Sequence, residues 1–244
     1  MPAHTILQTI GLRKSFGALV AVKDFTFEVK EKEIVGLIGP NGAGKTTLFN
    51  LICGTIKCDS GKIIFLGRNI TNLPPHKICK AGIARVHQIP RPFLDLSVLE
   101  NVIVGSLFGA GKNLSYARSR AIEILDFVGL EKKKDLPSRS LTAFEMKLLE
   151  IARTLAAEPK LLLLDEPFAG LNPSEIDRYK EIVKKIREEG ITIILVEHIM
   201  KAIREVTDRV IVMHQGEKIA EGTFEEISKN EKVIEAYLGS KSIE

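Results

Sequence analysis

The stretch GPNGAGKTT at 39–47 constrains this chain more than any other. Gly39, Gly44, Lys45 and Thr46 satisfy the pattern G-x-x-x-x-G-K-[ST], with Pro40, Asn41, Gly42 and Ala43 between them and Thr47 after them. The strand-like run IVGLI precedes the pattern and the helical run KTTLFNLICG follows it. Glycines let successive backbone N–H groups turn toward one point and approach oxyanions closely, and the start of a helix adds partial positive charge there. Lys45 can reach the outer phosphates of a nucleotide, and the Thr46 hydroxyl can bind Mg²⁺. The alternative is a glycine-rich strand-to-helix turn that binds nothing, but here pattern and context are both met.

Hydrophobic periodicity organises the rest. ILQTIGLRKSF, VAVKDFTFEV with Asp24 as a break, and EIVGLIG read as short strands, and predict an antiparallel sheet in the N-terminal third. GKIIFLGRNI is a further strand-and-turn pair. Leu99, Val102 and Ile103, then Ala121, Ile122, Leu125 and Val128, then Leu148, Leu149 and Ala152 recur at helical spacing, so 91 to about 157 is expected to be a helical insertion. Beyond it come LLLLD, a helix from Ser174 to about Glu189, ITIILVEH, another helix, and RVIVMHQGEKIAEG. Apolar strands alternating with helices predict a parallel sheet covered on both faces. The expected architecture is a parallel α/β core, an antiparallel β lobe and a helical lobe.

With 244 residues, 45% hydrophobic and 27% charged, the chain suits one large α/β domain or a domain with a subdomain. The formal charge is only +4, and its basic run, KKK at 132–134, is flanked by Glu131 and Asp135. That argues for a solvated loop and against a nucleic-acid-binding patch. Cys53, Cys58 and Cys79 fit no zinc spacing, and with no signal peptide a reduced, cytosolic compartment is expected. No apolar run approaches the roughly 20 residues that span a bilayer.

LLLLDE at 161–166 supplies carboxylates. An apolar strand ending in Asp165 puts that residue at the carboxyl edge of the sheet, where ligands bind in such folds. Asp165 would hold Mg²⁺ through its waters, and Glu166 would orient or deprotonate an attacking water. Gln88, after the strand IARVH, and His198, after ITIILVE, could sense the metal or water and the outer phosphate. Without the phosphate loop each would count only as polar surface at a strand end.

With these residues in place, the chain resembles the nucleotide-binding subunit of ATP-binding-cassette (ABC) transporters over almost its whole length. GPNGAGKTT matches the Walker A motif, Gln88 the Q-loop, LLLLDEP the Walker B motif, AGLNP the D-loop and His198 the switch histidine. The resemblance implies a P-loop NTPase with a RecA-like parallel-sheet core, an N-terminal antiparallel β lobe and an inserted helical subdomain. As a single domain over 1–240, it would have core and β lobe at 1–90 and 158–240, the helical subdomain at 91–157 and a tail at 241–244. It implies ATP and Mg²⁺ as cofactors, with Glu166, His198, Lys45 and Gln88 catalytic and Thr46, Gln88 and Asp165 at the metal. Phe16, in KSFG, matches the aromatic position that stacks on adenine, with Val22 in the same pocket; the alternative for Phe16 is a core residue of the β lobe. The implied partners are a second cassette, either a paralogue or a second copy of this chain, closing head to tail around two ATP molecules, integral membrane permeases and, indirectly, a solute-binding protein. The implied location is peripheral, on the cytoplasmic face of the membrane.

QIPRPFLDLSVLENVIVG, LLLLDEPFAGLNPSE, IILVEHIMKAI and VIEAYLG look most like the branched-chain (hydrophobic) amino-acid uptake group. Lipopolysaccharide-export and urea-uptake ATPases are close relatives of that group. A soluble ABC ATPase and a non-hydrolysing nucleotide-binding regulator are the competing classes. The first usually carries a tandem cassette or a long coiled coil, and the second does not need Lys45, Asp165, Glu166 and His198 together.

Two positions depart from the family pattern. Asn172 stands where the D-loop usually ends in Asp. The family's signature L-S-G-G-Q is matched by Leu141, Thr142, Ala143, Phe144 and Glu145. In the family this segment starts a helix that faces the partner's γ-phosphate. Thr142 keeps a hydroxyl, and T-x-x-E keeps a capping box. Tying Glu145 back to the N-cap amide would keep its carboxylate partly occupied. The bare glycine surface is lost; a bulky Phe144 would obstruct it, and a Glu145 charge left free would oppose a phosphate. The segment is either only a helix cap or a tolerated signature variant whose helix N-terminus still attracts phosphate.

Overall fold

The computed structural model describes residues 4–238. β1 (Thr5–Phe16) and β2 (Leu19–Lys30) form a long hairpin, followed by β3 (Ile34–Ile38) and α1 (Lys45–Ile52). β4 (Ser60–Phe65) and β5 (Arg68–Asn69) then return to the hairpin, giving an antiparallel sheet in the order β2-β1-β4-β5. α2 (Pro75–Ala81) leads into β6 (Ile83–Val86). The helical lobe comes next: α3 (Val98–Val104), a π-helical turn at Gly105–Ala110, α4 (Leu114–Val128) and α5 (Ala143–Leu155). The chain returns through β7 (Leu161–Asp165), α6 (Pro173–Glu188), β8 (Thr192–Val196) and α7 (Met200–Val206). It ends in the hairpin β9 (Arg209–His214) and β10 (Glu217–Gly222), with α8 (Phe224–Ile227) and α9 (Glu231–Leu238) after it. The expected tail at 241–244 lies outside the described residues.

The second sheet has the order β10-β9-β3-β8-β7-β6 and is parallel except for β10. Its strands show why both faces had to be covered. Leu162, Leu164, Ile193, Leu195, Val210 and Val212 enter one core, beneath the helical lobe and α6. The alternate residues Leu161, Leu163, Ile194, Val196, Ile211 and Met213 enter the other, shared with α1 and the β lobe. Period-two side-chain alternation thus splits one run of apolar residues between two cores.

Two expectations are corrected. EIVGLIG does not join the antiparallel sheet: β3 pairs in parallel with β8 and β9, at the centre of the core. All five of its residues are buried, so it lacks the polar-out alternation of a strand with one wet face. Asp24 does not break its strand either. β2 runs through it with a register shift, and Asp24 takes a left-handed φ of 47°. Such a bulge bends the hairpin without ending its pairing.

Candidate functional site

The phosphate-loop segment leaves the carboxyl end of β3 and enters α1. Gly39 and Gly44 are there for close approach. A Cβ on Gly39 would lie 1.9 Å from the Met213 carbonyl oxygen, and one on Gly44 2.2 Å from that of Ala21. Gly44 also has φ 107°, in the region that favours glycine. It caps α1 without any side-chain hydrogen bond, and the first turn of α1 carries no acidic residue. The N-terminal amides of α1 therefore meet no competing carboxylate from their own turn, an arrangement suited to an anion. Lys45 is 6% exposed, and its ammonium donates to the carbonyls of Gly39 (2.6 Å) and Pro40 (2.9 Å). Burial lowers its pKa, while Glu166 and Asp165 act against that shift.

Four neighbouring parallel strands, β3, β8, β7 and β6, end on the same edge and bring the remaining candidates together. Asp165, the last residue of β7, is buried and forms an ion pair with Arg85 of β6. Glu166 follows in a left-handed conformation, φ 46°. Its carboxylate has a polar neighbour on each side. Gln88 Nε2 donates to one oxygen at 2.6 Å, and His198 Nε2 lies 3.3 Å from the other. Thr46 is exposed at the start of α1, below the same edge.

A cleft of ≈ 580 Å³ joins these groups to the β1–β2 hairpin. Residues 41–47, Glu166 and His198 form its floor, and Phe16, Leu19, Val20 and Ala21 its outer wall. Phe16 is half exposed, with the Lys14 ammonium 5.4 Å from its ring centroid, so it is not a core residue of the β lobe. Val22 is a correction. It is fully buried among the β-lobe core residues, and its neighbours Val20 and Ala21 line the cleft instead.

The segment 141–145 starts α5, and its capping box is formed. Thr142 Oγ1 accepts from the Glu145 amide at 3.3 Å, and Glu145 accepts from the Thr142 amide at 3.1 Å. One expectation fails here. Phe144 does not obstruct the exposed surface, because it is 7% exposed and faces the core with the Arg178 guanidinium over its ring at 5.5 Å. It opens the buried stripe Phe144, Leu148, Ile151 and Leu155, whose helical spacing fixes the direction of residue 144. The Glu145 carboxylate is occupied, as the capping box implies, and it has a further partner. Lys133 donates to it at 2.6 Å. Burial raises the Glu145 pKa, but Lys133 and the Thr142 amide together outweigh it and hold the carboxyl below its usual range. Leu141 is likewise buried, which leaves Thr142 and Ala143 as the exposed part of the segment. Asn172 caps α6 in a capping box with Glu175, a task that Asn performs as well as Asp.

Two residues escaped the sequence reading. Glu197 is 2% exposed; its carboxylate accepts from the amides of Phe168 (2.8 Å), His198 (2.7 Å) and Ile199 (3.2 Å), tying the turn after β8 to the turn after β7. An acid directly after five buried strand residues was the available signal. Arg85 gave a similar one, as a cation inside the strand IARV.

A family model described as "ABC transporter" matches residues 22–169, and one described as "Branched-chain amino acid ATP-binding cassette transporter" matches residues 217–241. The chain is 38% identical to the probable branched-chain amino acid transport ATP-binding protein LivG of Archaeoglobus fulgidus, over 98% of this chain and 97% of that one. It is 39% identical to the high-affinity branched-chain amino acid transport ATP-binding protein BraF of Pseudomonas aeruginosa, over 97% and 99%. A crystal structure of the ADP conformation of an ATP-binding cassette of an ABC transporter is similar with a TM-score of 0.88 at 32% identity, covering 97% of this chain and 99% of that one.

Proposed function

The chain belongs to the ATP-binding-cassette family of transporter subunits, and from that premise we propose that it hydrolyses ATP to energise uptake of branched-chain or other hydrophobic amino acids. The named relatives and the match over 217–241 support this cargo over lipopolysaccharide or urea.

ATP is the substrate. The amides at the start of α1 and the Lys45 ammonium receive its phosphates, and Phe16 stacks on its base. The observation that carries hydrolysis is the Glu166 carboxylate, oriented by a hydrogen bond from Gln88 and set beside His198 in the cleft of the phosphate loop. A carboxylate oriented in this way can align a water in line with the outer phosphate and take up its proton. For Mg²⁺ the available donors are oxygens, the Asp165 carboxylate and the Thr46 hydroxyl, as a hard cation requires. Bound there, the metal would neutralise charge developing on the transferred phosphoryl group.

Partners follow from the same reading. Among the described residues no helix is long and apolar enough to cross a membrane. As a transporter ATPase, the chain works on permease subunits and sits peripherally on the cytoplasmic side. A groove of ≈ 510 Å³ between the lobes, walled by Phe93, Phe108, Ile78 and Pro75, is a suitable seat for a permease segment. The second cassette closes head to tail, with segment 141–145 facing the ATP held by its partner. That segment differs from the family's signature while this chain's own phosphate loop does not, so pairing with a paralogue would make the two ATP sites unequal.

The test is expression with the candidate permeases and second cassette in liposomes. Amino-acid uptake coupled to ATP turnover is expected, and turnover without any co-purifying membrane subunit would sink the transport reading. A tight homodimer of the Glu166→Gln chain holding two equivalent ATP molecules would refute the asymmetry.

A further inference from the structure

Arg85 belongs to none of the motifs, yet its side chain is only 10% exposed and joins three elements of the site. One Nη donates to Asn50 Oδ1 on α1 at 2.6 Å, and the other forms the ion pair with Asp165 Oδ2 on β7. The guanidinium lies 5.8 Å from the Phe49 ring centroid, which supports its plane from α1. Asn50 follows Thr46 by four residues on the same helix, so the two share a face. The guanidinium therefore spans from the helix that carries Thr46 to the strand end that carries Asp165.

We infer that Arg85 is the positioning residue of the divalent-cation site, setting the spacing between Thr46 and Asp165 and presenting the remaining Asp165 oxygen to the metal's waters. The inference rests on the ATPase reading. Two effects oppose each other. A cation beside Asp165 repels an incoming metal, and the same cation fixes the carboxylate that the metal needs. The Asp165 carboxylate, paired with the guanidinium through one oxygen and offering the other, lies between the two cations and offsets their repulsion, so orientation decides the sign. Planarity matters as well, because only a forked cation reaches Asn50 and Asp165 together. A purely structural ion pair at the sheet edge would leave metal and nucleotide affinities in step, and the test uses that difference.

Full-length chain carrying Arg85→Met, Arg85→Lys or Asn50→Ala is compared with the unsubstituted chain. Mn²⁺ binding is read by electron paramagnetic resonance with a non-hydrolysable ATP analogue present, and affinity for that analogue is read separately in EDTA. Arg85→Met is expected to weaken Mn²⁺ binding by about 10- to 100-fold, as loss of a ligand's supporting partner does, with analogue affinity in EDTA preserved. Arg85→Lys restores only part of the loss. Asn50→Ala weakens Mn²⁺ in the same direction but less, and carries the test if Arg85→Met does not fold. Unchanged or tighter Mn²⁺ binding overturns the inference, as does a parallel loss of analogue affinity in EDTA. Failure of the unsubstituted chain to bind the analogue sinks the ATPase reading, and this inference with it.

Discussion

Two helices of this molecule begin at positions the family uses for phosphate, and they begin in opposite ways. α1 starts at Gly44 with no side-chain cap and no acidic residue in its first turn. α5 starts with a formed capping box, an acid in the first turn and a lysine on that acid. An uncapped N-terminus leaves its donors for an oxyanion from outside, whereas a capped one has satisfied part of them internally. The first therefore suits tight phosphate binding within this chain. The second suits a weaker, partly neutralised contact with a phosphate held by another subunit. Helix starts that look alike as sequence motifs differ in what they still have to offer.

The comparison is tested most severely by making α5 resemble α1. Phe144→Gly restores a glycine of the family signature, and an exposed obstruction would be relieved by it. Because Phe144 is buried under Arg178, the expected result is a loss of at least the roughly 3–5 kcal/mol typical of truncating a buried Phe, read by urea unfolding. Unchanged stability would return Phe144 to the surface. From the other side, Lys45→Ala should lower ATP turnover of the assembled transporter by about 10²–10³-fold, the range for one lost electrostatic donor. A comparable fall from Thr142→Ala would erase the distinction between the two helices.

Thr142→Ala is instead expected to reduce stability by about 1 kcal/mol, the value of an N-cap, and to leave ATP binding by this chain's own phosphate loop unchanged. The smallest effect is a pH dependence at Glu145. Its folded pKa lies below the ordinary value of 4.5, so its contribution is complete above that pH and disappears as pH falls through the depressed value. The difference in unfolding midpoint between the native chain and Glu145→Gln should therefore shrink on acidification from pH 6. A difference that grows on acidification would contradict the Lys133 pairing.

Much of the site was legible because its logic is local. Residues 39–47 depend on a strand, a turn and a helix start in unbroken succession, and each leaves a mark within a few residues. Gln88, Glu166 and His198 could be placed at strand ends, since an apolar run stops where the sheet edge meets solvent. What proved wrong was direction. Val22 is expected in the adenine pocket and Phe144 on the phosphate-facing surface, and both point inward. For Phe144 the spacing to Leu148 and Ile151 already held the answer. For Val22, the bulge at Asp24 hides the inward face from a simple alternation count. EIVGLIG was grouped with its sequence neighbours, although its uninterrupted burial belongs to a central parallel strand.

Taken alone, the sequence determined the phosphate loop, the acidic strand end, the alternation of apolar strands with helices and the capping box of α5. Each rests on backbone geometry and side-chain period over a short span. The tertiary structure alone decided which carboxylate oxygen meets which partner. Arg85 reaches Asp165 across 80 positions and Asn50 across 35, and Gln88 reaches Glu166 across 78. Such pairs follow from strand order β3-β8-β7-β6, in which sequence-distant strands end side by side. Strand order is set by which hydrophobic faces can be buried together, a property of the assembled sheet that no short window contains.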